Sequence, residues 1–271
     1  MKNDIKLLLE FKFFSLRIIF FSFIKSLIEI FTVKTIKYRG KKIKFLTTSK
    51  MTIARAHLFG IKEKEVYEFI DRYLGENDTF VDIGANVGVF SIFSCIFKKA
   101  KCIAFEPEFS NLYLFKQNII LNNLTAKIDV YPCSISDHNS LNFLHLSSLE
   151  SGEALHSISK KKIEYTDEKG KVVMRTGTYN ISLDEFFSHN KINPVMLKID
   201  TDGKELEILN GAVETLNKLK YIALEIPLEK DKKTKCLEIL DKNNFKELKD
   251  LQRDRNLFFV KKNDNEFKEK N

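Results

Sequence analysis

The sequence predicts an α/β domain on a seven-stranded sheet, mostly parallel with one antiparallel strand, behind an N-terminal amphipathic helix. Three observations predict it. Short apolar runs alternate with helical stretches from residue 76 to 262; the run Phe80-Val81-Asp82-Ile83 ends in the turn Gly84-Ala85-Asn86-Val87-Gly88; and the run Cys102-Ile103-Ala104-Phe105 closes on Glu106, eighteen residues after Gly88. A strand, a glycine turn, a helix and a second strand tipped by a carboxylate are how an open α/β sheet holds an adenosyl group.

The elements follow in order. Residues 1–34 concentrate phenylalanine, and at 3.6 residues per turn Ser15, Ser22, Lys25, Ser26 and Glu29 share one narrow face. That pattern predicts a helix lying in a membrane interface, or one packed on the domain or on a second copy. Its longest uncharged run, Ile18 to Ile24, is too short to span a bilayer, and Lys12 and Arg17 interrupt any signal-peptide core. Residues 35–47 read as a basic hairpin turning near Gly40, and 61–74 as a helix, the two forming a segment 35–75 ahead of the domain at 76–262.

Strands are predicted at 79–83, 101–106, 127–131, 195–200, 221–226, 244–249 and 256–261, with helices at 87–99, 110–122, 204–218 and 232–242. Ser110 is a candidate cap for the second of these helices, and Leu206, Leu209, Val213 and Leu216 mark one stripe on the third. Only Asp250 to Arg255 separate the last two strands, so those pair antiparallel. Residues 138–180 interrupt the alternation as an insertion shaping the substrate site, and the charged tail 263–271 reads as disordered.

Net charge is +8, but residues 1–50 hold twelve Lys and Arg against three acids, and the remainder is close to neutral. A domain without a basic excess argues against nucleic acid as substrate. Four cysteines without C-x-x-C spacing read as buried thiols of a reducing compartment. The chain is therefore expected in the cytoplasm, with peripheral contact at the inner membrane face through residues 1–34.

At the first site Gly84, Ala85, Asn86 and Gly88 form the turn that admits a ligand, with Asp82 behind it and Glu106 placed to accept from two ribose hydroxyls. Asn86 stands where a dinucleotide fingerprint needs glycine, which favours S-adenosyl-L-methionine over NAD; no phosphate-gripping G-x-x-x-x-G-K-[ST] occurs. The second site is Lys198-Ile199-Asp200-Thr201-Asp202-Gly203-Lys204-Glu205, at the tip of the strand 195–200 and facing the same crevice. Asp202 and Glu205 fit a capping box for the following helix; Asp200, ending the strand, has no such role. Asp200 is the first choice of general base and Asp202 the second, with His145 and His156 as alternatives. Glu225 closes the neighbouring strand, and Lys198 is placed to pair with Asp200 or hold an acidic acceptor.

These segments, together with Phe105-Glu106-Pro107, Ser136-Asp137 and Ser182-Leu183-Asp184, resemble the FkbM-type family of class I S-adenosylmethionine-dependent methyltransferases, with their Rossmann-like sheet, from about Phe80 to Glu225. Thr201 and Lys204 depart from the more usual family residues. The resemblance implies that Asp82, Gly84, Asn86 and Glu106 bind cofactor, with Ser136 or Asp137 beside the adenine. It also implies O-methylation of an acceptor hydroxyl, often that of a saccharide or a polyketide. The expectation is an O-methyltransferase for a glycan or glycolipid precursor. The alternatives are a methyltransferase for a lipid or other small hydroxyl metabolite, metal-assisted at Asp200 and Asp202, or a membrane-attached scaffold without catalysis.

Overall fold

The computed structural model describes residues 2–153, 157–159, 172–190 and 192–262. The predicted tail at 263–271, most of the polar part of the insertion and His156 lie outside them. Along the chain run α1 (Lys2–Thr32), the hairpin β1 (Val33–Tyr38) and β2 (Lys41–Leu46), α2 (Lys50–His57) and α3 (Lys64–Tyr73). Then come β3 (Thr79–Ile83), α4 (Val89–Phe97), β4 (Lys101–Phe105), α5 (Phe109–Leu121), β5 (Ile128–Tyr131) and β6 (Ser134–Ile135). The insertion supplies β7 (Ser140–Leu146), β8 (Ser157–Ser159) and β9 (Met174–Ile181), followed by α6 (Leu183–His189). The chain closes with β10 (Met196–Ile199), α7 (Glu205–Asn210), α8 (Val213–Lys218), β11 (Tyr221–Glu225), α9 (Lys230–Lys242), β12 (Phe245–Glu247) and β13 (Asn256–Lys261).

The main sheet has the order β12-β13-β11-β10-β3-β4-β5. β3, β4, β5, β10 and β11 run parallel, and β13 is antiparallel to both β11 and β12. This is the predicted seven-stranded sheet with one reversed strand. Every residue of β3 and β10 is buried, because helices cover both faces of a parallel sheet. One apolar cluster, with Phe69, Phe80, Phe93 and Phe258, fills one side, and a second, with Leu183, Leu197, Ile208 and Phe259, fills the other.

The segment before β3 belongs to the first of these clusters. Ile43, Phe45, Phe59 and Tyr67 are buried against Phe93, and the edge of β2 is taken up by side chains of α5. Leu46 N donates to Asn118 Oδ1 at 2.8 Å, and Lys44 pairs through both backbone groups with Asn122 at 2.7 and 2.9 Å. An amide side chain, carrying both donor and acceptor groups, stands in for the missing neighbouring strand.

Three local expectations are corrected. The cap of α5 is Glu108, two residues before Ser110, and its side chain accepts from Asn111 N at 2.6 Å. The single helix 204–218 is two, α7 and α8, since Asp184 reaches in from α6 and accepts from Glu214 N at 2.9 Å and Thr215 N at 2.7 Å. A carboxylate on those orphan amides starts a new helix at Val213. Asp202 and Glu205 do not form a capping box: Lys204 holds the cap position without a side-chain bond, and Asp202 is left-handed at φ 53°. Glu205, 1% exposed, instead closes its own loop by accepting from Gly203 N and Thr201 Oγ1.

The insertion folds as a second sheet of order β6-β9-β7-β8 at the end of β5. α1 leaves Phe14, Phe20, Phe21, Phe23 and Phe31 exposed rather than laying them on the domain. No helix among the described residues is long and apolar enough to cross a membrane.

Candidate active site

A cavity of about 260 Å³ opens at the carboxyl ends of β3, β4, β10 and β11. Its floor is the turn after β3. Gly84 adopts φ +77°, and a Cβ there would lie 1.9 Å from the Asp200 carbonyl oxygen; one at Gly88, φ +83°, would lie 2.0 Å from the Phe115 ring. Both glycines are thus required by contacts within the protein, tip against tip and turn against α5. Asn86, left-handed at φ 51°, donates from its backbone to Glu106 Oε2 at 2.8 Å and from Nδ2 to Glu153 O at 2.8 Å.

Glu106 is buried at the tip of β4. Its second oxygen accepts from Glu108 N at 2.9 Å, and burial outweighs both amide bonds to push its carboxyl up to about 7. Phe105, Pro107, Ile135 and Leu144 supply apolar wall beside it, while Arg55 and Lys62 bring positive charge from the α2–α3 side.

Of the residues predicted to bind cofactor, Gly84, Ala85, Asn86 and Glu106 line this cavity. Asp82, Gly88, Ser136 and Asp137 are not among the lining residues. Asp82 is 1% exposed inside the sheet, where Oδ2 accepts from Ser91 Oγ at 2.6 Å and Oδ1 lies 3.8 Å from Lys198 Nζ. The cation it faces is Lys198, and burial raises its pKa despite that charge. Asp137 pairs with His138 on the surface side of β6.

Across the cavity stand Lys198, Asp200, Asp202 and Glu225. Lys198 Nζ lies 3.0 Å from Asp200 Oδ2 and 5.1 Å from the centre of the Phe90 ring. Burial would lower the lysine, but Asp200 and Asp82 together raise it, so it stays charged. Asp200 is itself opposed by burial, yet the Lys198 charge, with the neighbouring Glu225 carboxyl, holds it down at about 2. Glu225 is pushed up to about 7 by burial and by Asp200, against the Arg255 guanidinium on its Oε1. Asp200 and Asp202, the first and second choices for the base, both reach the cavity. His145 is buried in β7 and is not among the lining residues.

Arg55, Asn111, Glu153 and Arg255 were not legible as site residues in the sequence. Arg255 had one available signal. Once β11 and β13 are paired antiparallel, Glu225 stands opposite Asn256, and its neighbour Arg255 falls beside the carboxylate. No group of three or more His, Cys, Asp or Glu among the described residues is arranged to hold a metal.

The family described as the methyltransferase FkbM domain matches residues 82–256. The chain is 28% identical over 162 residues to Methyltransferase sdnD of Sordaria araneosa, covering 52% of this chain and 62% of that protein. It is 25% identical over 169 residues to Hexuronic acid methyltransferase AglP of Haloferax volcanii, covering 60% and 62%. The chain thus spans under two thirds of the length of each of these two relatives. Among solved structures it is similar to precorrin-6y C5,15-methyltransferase from Geobacter metallireducens, with a TM-score of 0.43 and 13% identity over 80% of this chain and 92% of that one.

Proposed function

The chain belongs to the FkbM methyltransferase family, and on that premise we propose that it is an S-adenosylmethionine-dependent O-methyltransferase acting on a hydroxyl of a glycan or glycolipid precursor. The donor set of the cavity fits the cofactor. Glu106 offers carboxylate oxygens to a ribose diol, the apolar wall of Phe105 and Ile135 suits an adenine, and Arg55 and Lys62 suit a carboxylate. The bound cofactor supplies an electrophilic methyl group on a sulfonium. The chain's own work is to align an acceptor oxygen with that methyl, a positioning effect worth about 7 kcal/mol or more, and to remove the hydroxyl proton.

The observation that carries the oxygen-acceptor reading is the carboxylate cluster of Asp200 and Glu225, open to the cavity opposite Glu106. A hydroxyl requires a base at that place. The relative named as a hexuronic acid methyltransferase supports a sugar as acceptor. The test is transfer of radiolabel from methyl-labelled S-adenosylmethionine to a panel of hexuronic acids and neutral sugar glycosides, alongside calorimetric titration of the cofactor. Label on a sugar hydroxyl oxygen is expected; binding of NAD in place of S-adenosylmethionine overturns the cofactor, and label on a hexuronic carboxyl oxygen alone overturns the hydroxyl acceptor.

We further propose that the enzyme works at a cytoplasmic membrane face. Supporting it are the exposed Phe20, Phe21, Phe23 and Phe31 of α1 with Arg17 and Lys25 among them, followed by the basic β1–β2 hairpin. Apolar side chains beside cations suit the head-group region of an anionic bilayer.

A further inference from the structure

β10 and β11 run parallel with Ile199 opposite Leu224, so the next residue of each, Asp200 and Glu225, emerges from adjacent tips into the cavity. Side by side there, each carboxyl group biases the other's titration. Two ionised carboxylates have no hydrogen to share, so groups so placed can bond each other only while the pair holds one proton. Each partner also has its own cation. Lys198 Nζ sits 3.0 Å from Asp200 Oδ2, and Arg255 Nε donates to Glu225 Oε1 at 3.1 Å. Arg255 is fixed there by the backbone, since Ile226 N donates to the Arg255 carbonyl at 2.9 Å.

We infer that Asp200 and Glu225 form one two-carboxylate unit whose fully ionised form is the proton acceptor of the site, Glu225 receiving the proton and Arg255 positioning it. The inference rests on the O-methyl reading above. In the step, the acceptor oxygen attacks the methyl carbon and the C–O bond forms as the C–S bond breaks, its electron pair remaining on sulfur. The hydroxyl proton passes to Glu225, shared with Asp200, and leaves to solvent through the cavity mouth before the next turnover.

The surrounding charges decide which partner keeps the proton. Asp200 faces Lys198 within its own strand and Arg55 from α2; beneath Lys198 lies Asp82, and Glu63 approaches from the start of α3. Glu225 has Asp200 on one side and Arg255 on the other, with Asp202 beside Arg255. The proton therefore rests on Glu225, whose carboxyl titrates at about 7, and Asp200 stays ionised. Below that pH the acceptor position is already filled, and a second proton would have to go to a group that titrates at about 2. Methyl transfer then rises with pH to a plateau above about 7.

Two measurements on the full chain test this. In infrared titration from acid to alkaline pH, the wild-type spectrum minus that of Glu225→Gln should contain a protonated-carboxyl band lost with a midpoint near 7; the subtraction removes the contribution of Glu106. With a sugar that wild type labels, Glu225→Gln should lower kcat about a hundredfold and flatten the pH profile while S-adenosylmethionine affinity stays within twofold. Arg255→Gln should move the midpoint of the profile upward, and Arg255→Lys should restore it. No band in the difference spectrum, or a Glu225→Gln enzyme with the wild-type pH profile, overturns the inference. Absence of labelling with the band intact falls on the acceptor reading, and labelling without the band falls on the pair.

Discussion

Glu106 sits where water is excluded but two backbone amides point at it, and the balance sets its charge near neutrality. Its folded pKa of about 7 lies above the ordinary 4.5, so between those values the unfolded chain releases a proton that the folded one keeps. Stability from this group is full below about pH 4.5 and is lost as pH rises toward 7, by roughly 3 kcal/mol. Glu106→Gln should remove that slope, so urea denaturation at pH 5 and pH 8 should show a smaller loss in the variant than in wild type. The same change should weaken S-adenosylmethionine binding ten- to a hundredfold by calorimetry, since charged hydrogen bonds to the diol are lost. Gly84→Ala tests the turn itself: with its Cβ aimed at the Asp200 carbonyl and φ positive, it should lose about 2 kcal/mol or more on chemical denaturation. At this scale the sequence was informative for residues beside the glycine turn and silent about Arg255. Gly84 and Glu106 are adjacent to their signals in the chain, whereas Arg255 meets Glu225, thirty residues away in sequence, only through the pairing of β11 with β13.

Between elements, α5 does work that its apolar stripe does not announce. Asn118, fully buried, accepts from Leu46 N and donates to Val87 O at 3.0 Å, joining the hairpin to the end of the glycine turn. Asn118→Ala strands both of those backbone groups and should cost about 2 to 3 kcal/mol in urea denaturation, against under 1 kcal/mol for the more exposed Asn122→Ala. Strand identities were legible because parallel strands covered on both faces are continuous apolar runs, and the final hairpin because no crossover fits between Asp250 and Arg255. The split between α7 and α8 was not legible. Leu206, Leu209, Val213 and Leu216 keep helical spacing across it, and the cap that starts α8 comes from Asp184, far upstream.

For the whole molecule, the charge asymmetry of the sequence becomes a spatial one. α1 and the hairpin carry the excess cations, while the rest of the chain is close to neutral and its cavity is lined by both acids and cations. Deleting residues 2–32 should leave thermal unfolding of the domain little changed and abolish co-sedimentation with vesicles containing phosphatidylglycerol; retained sedimentation would show that α1 is not the lipid contact. The order of strands also has a temporal meaning. β13 is the last strand of the domain to be made, yet it lies between β11 and β12 rather than at the rim. Until a ribosome has released it, β12 has no partner and Glu225 lacks the guanidinium that Arg255 brings. A nascent chain can therefore complete the glycine turn after β3 well before the tip at which Glu225 meets Arg255.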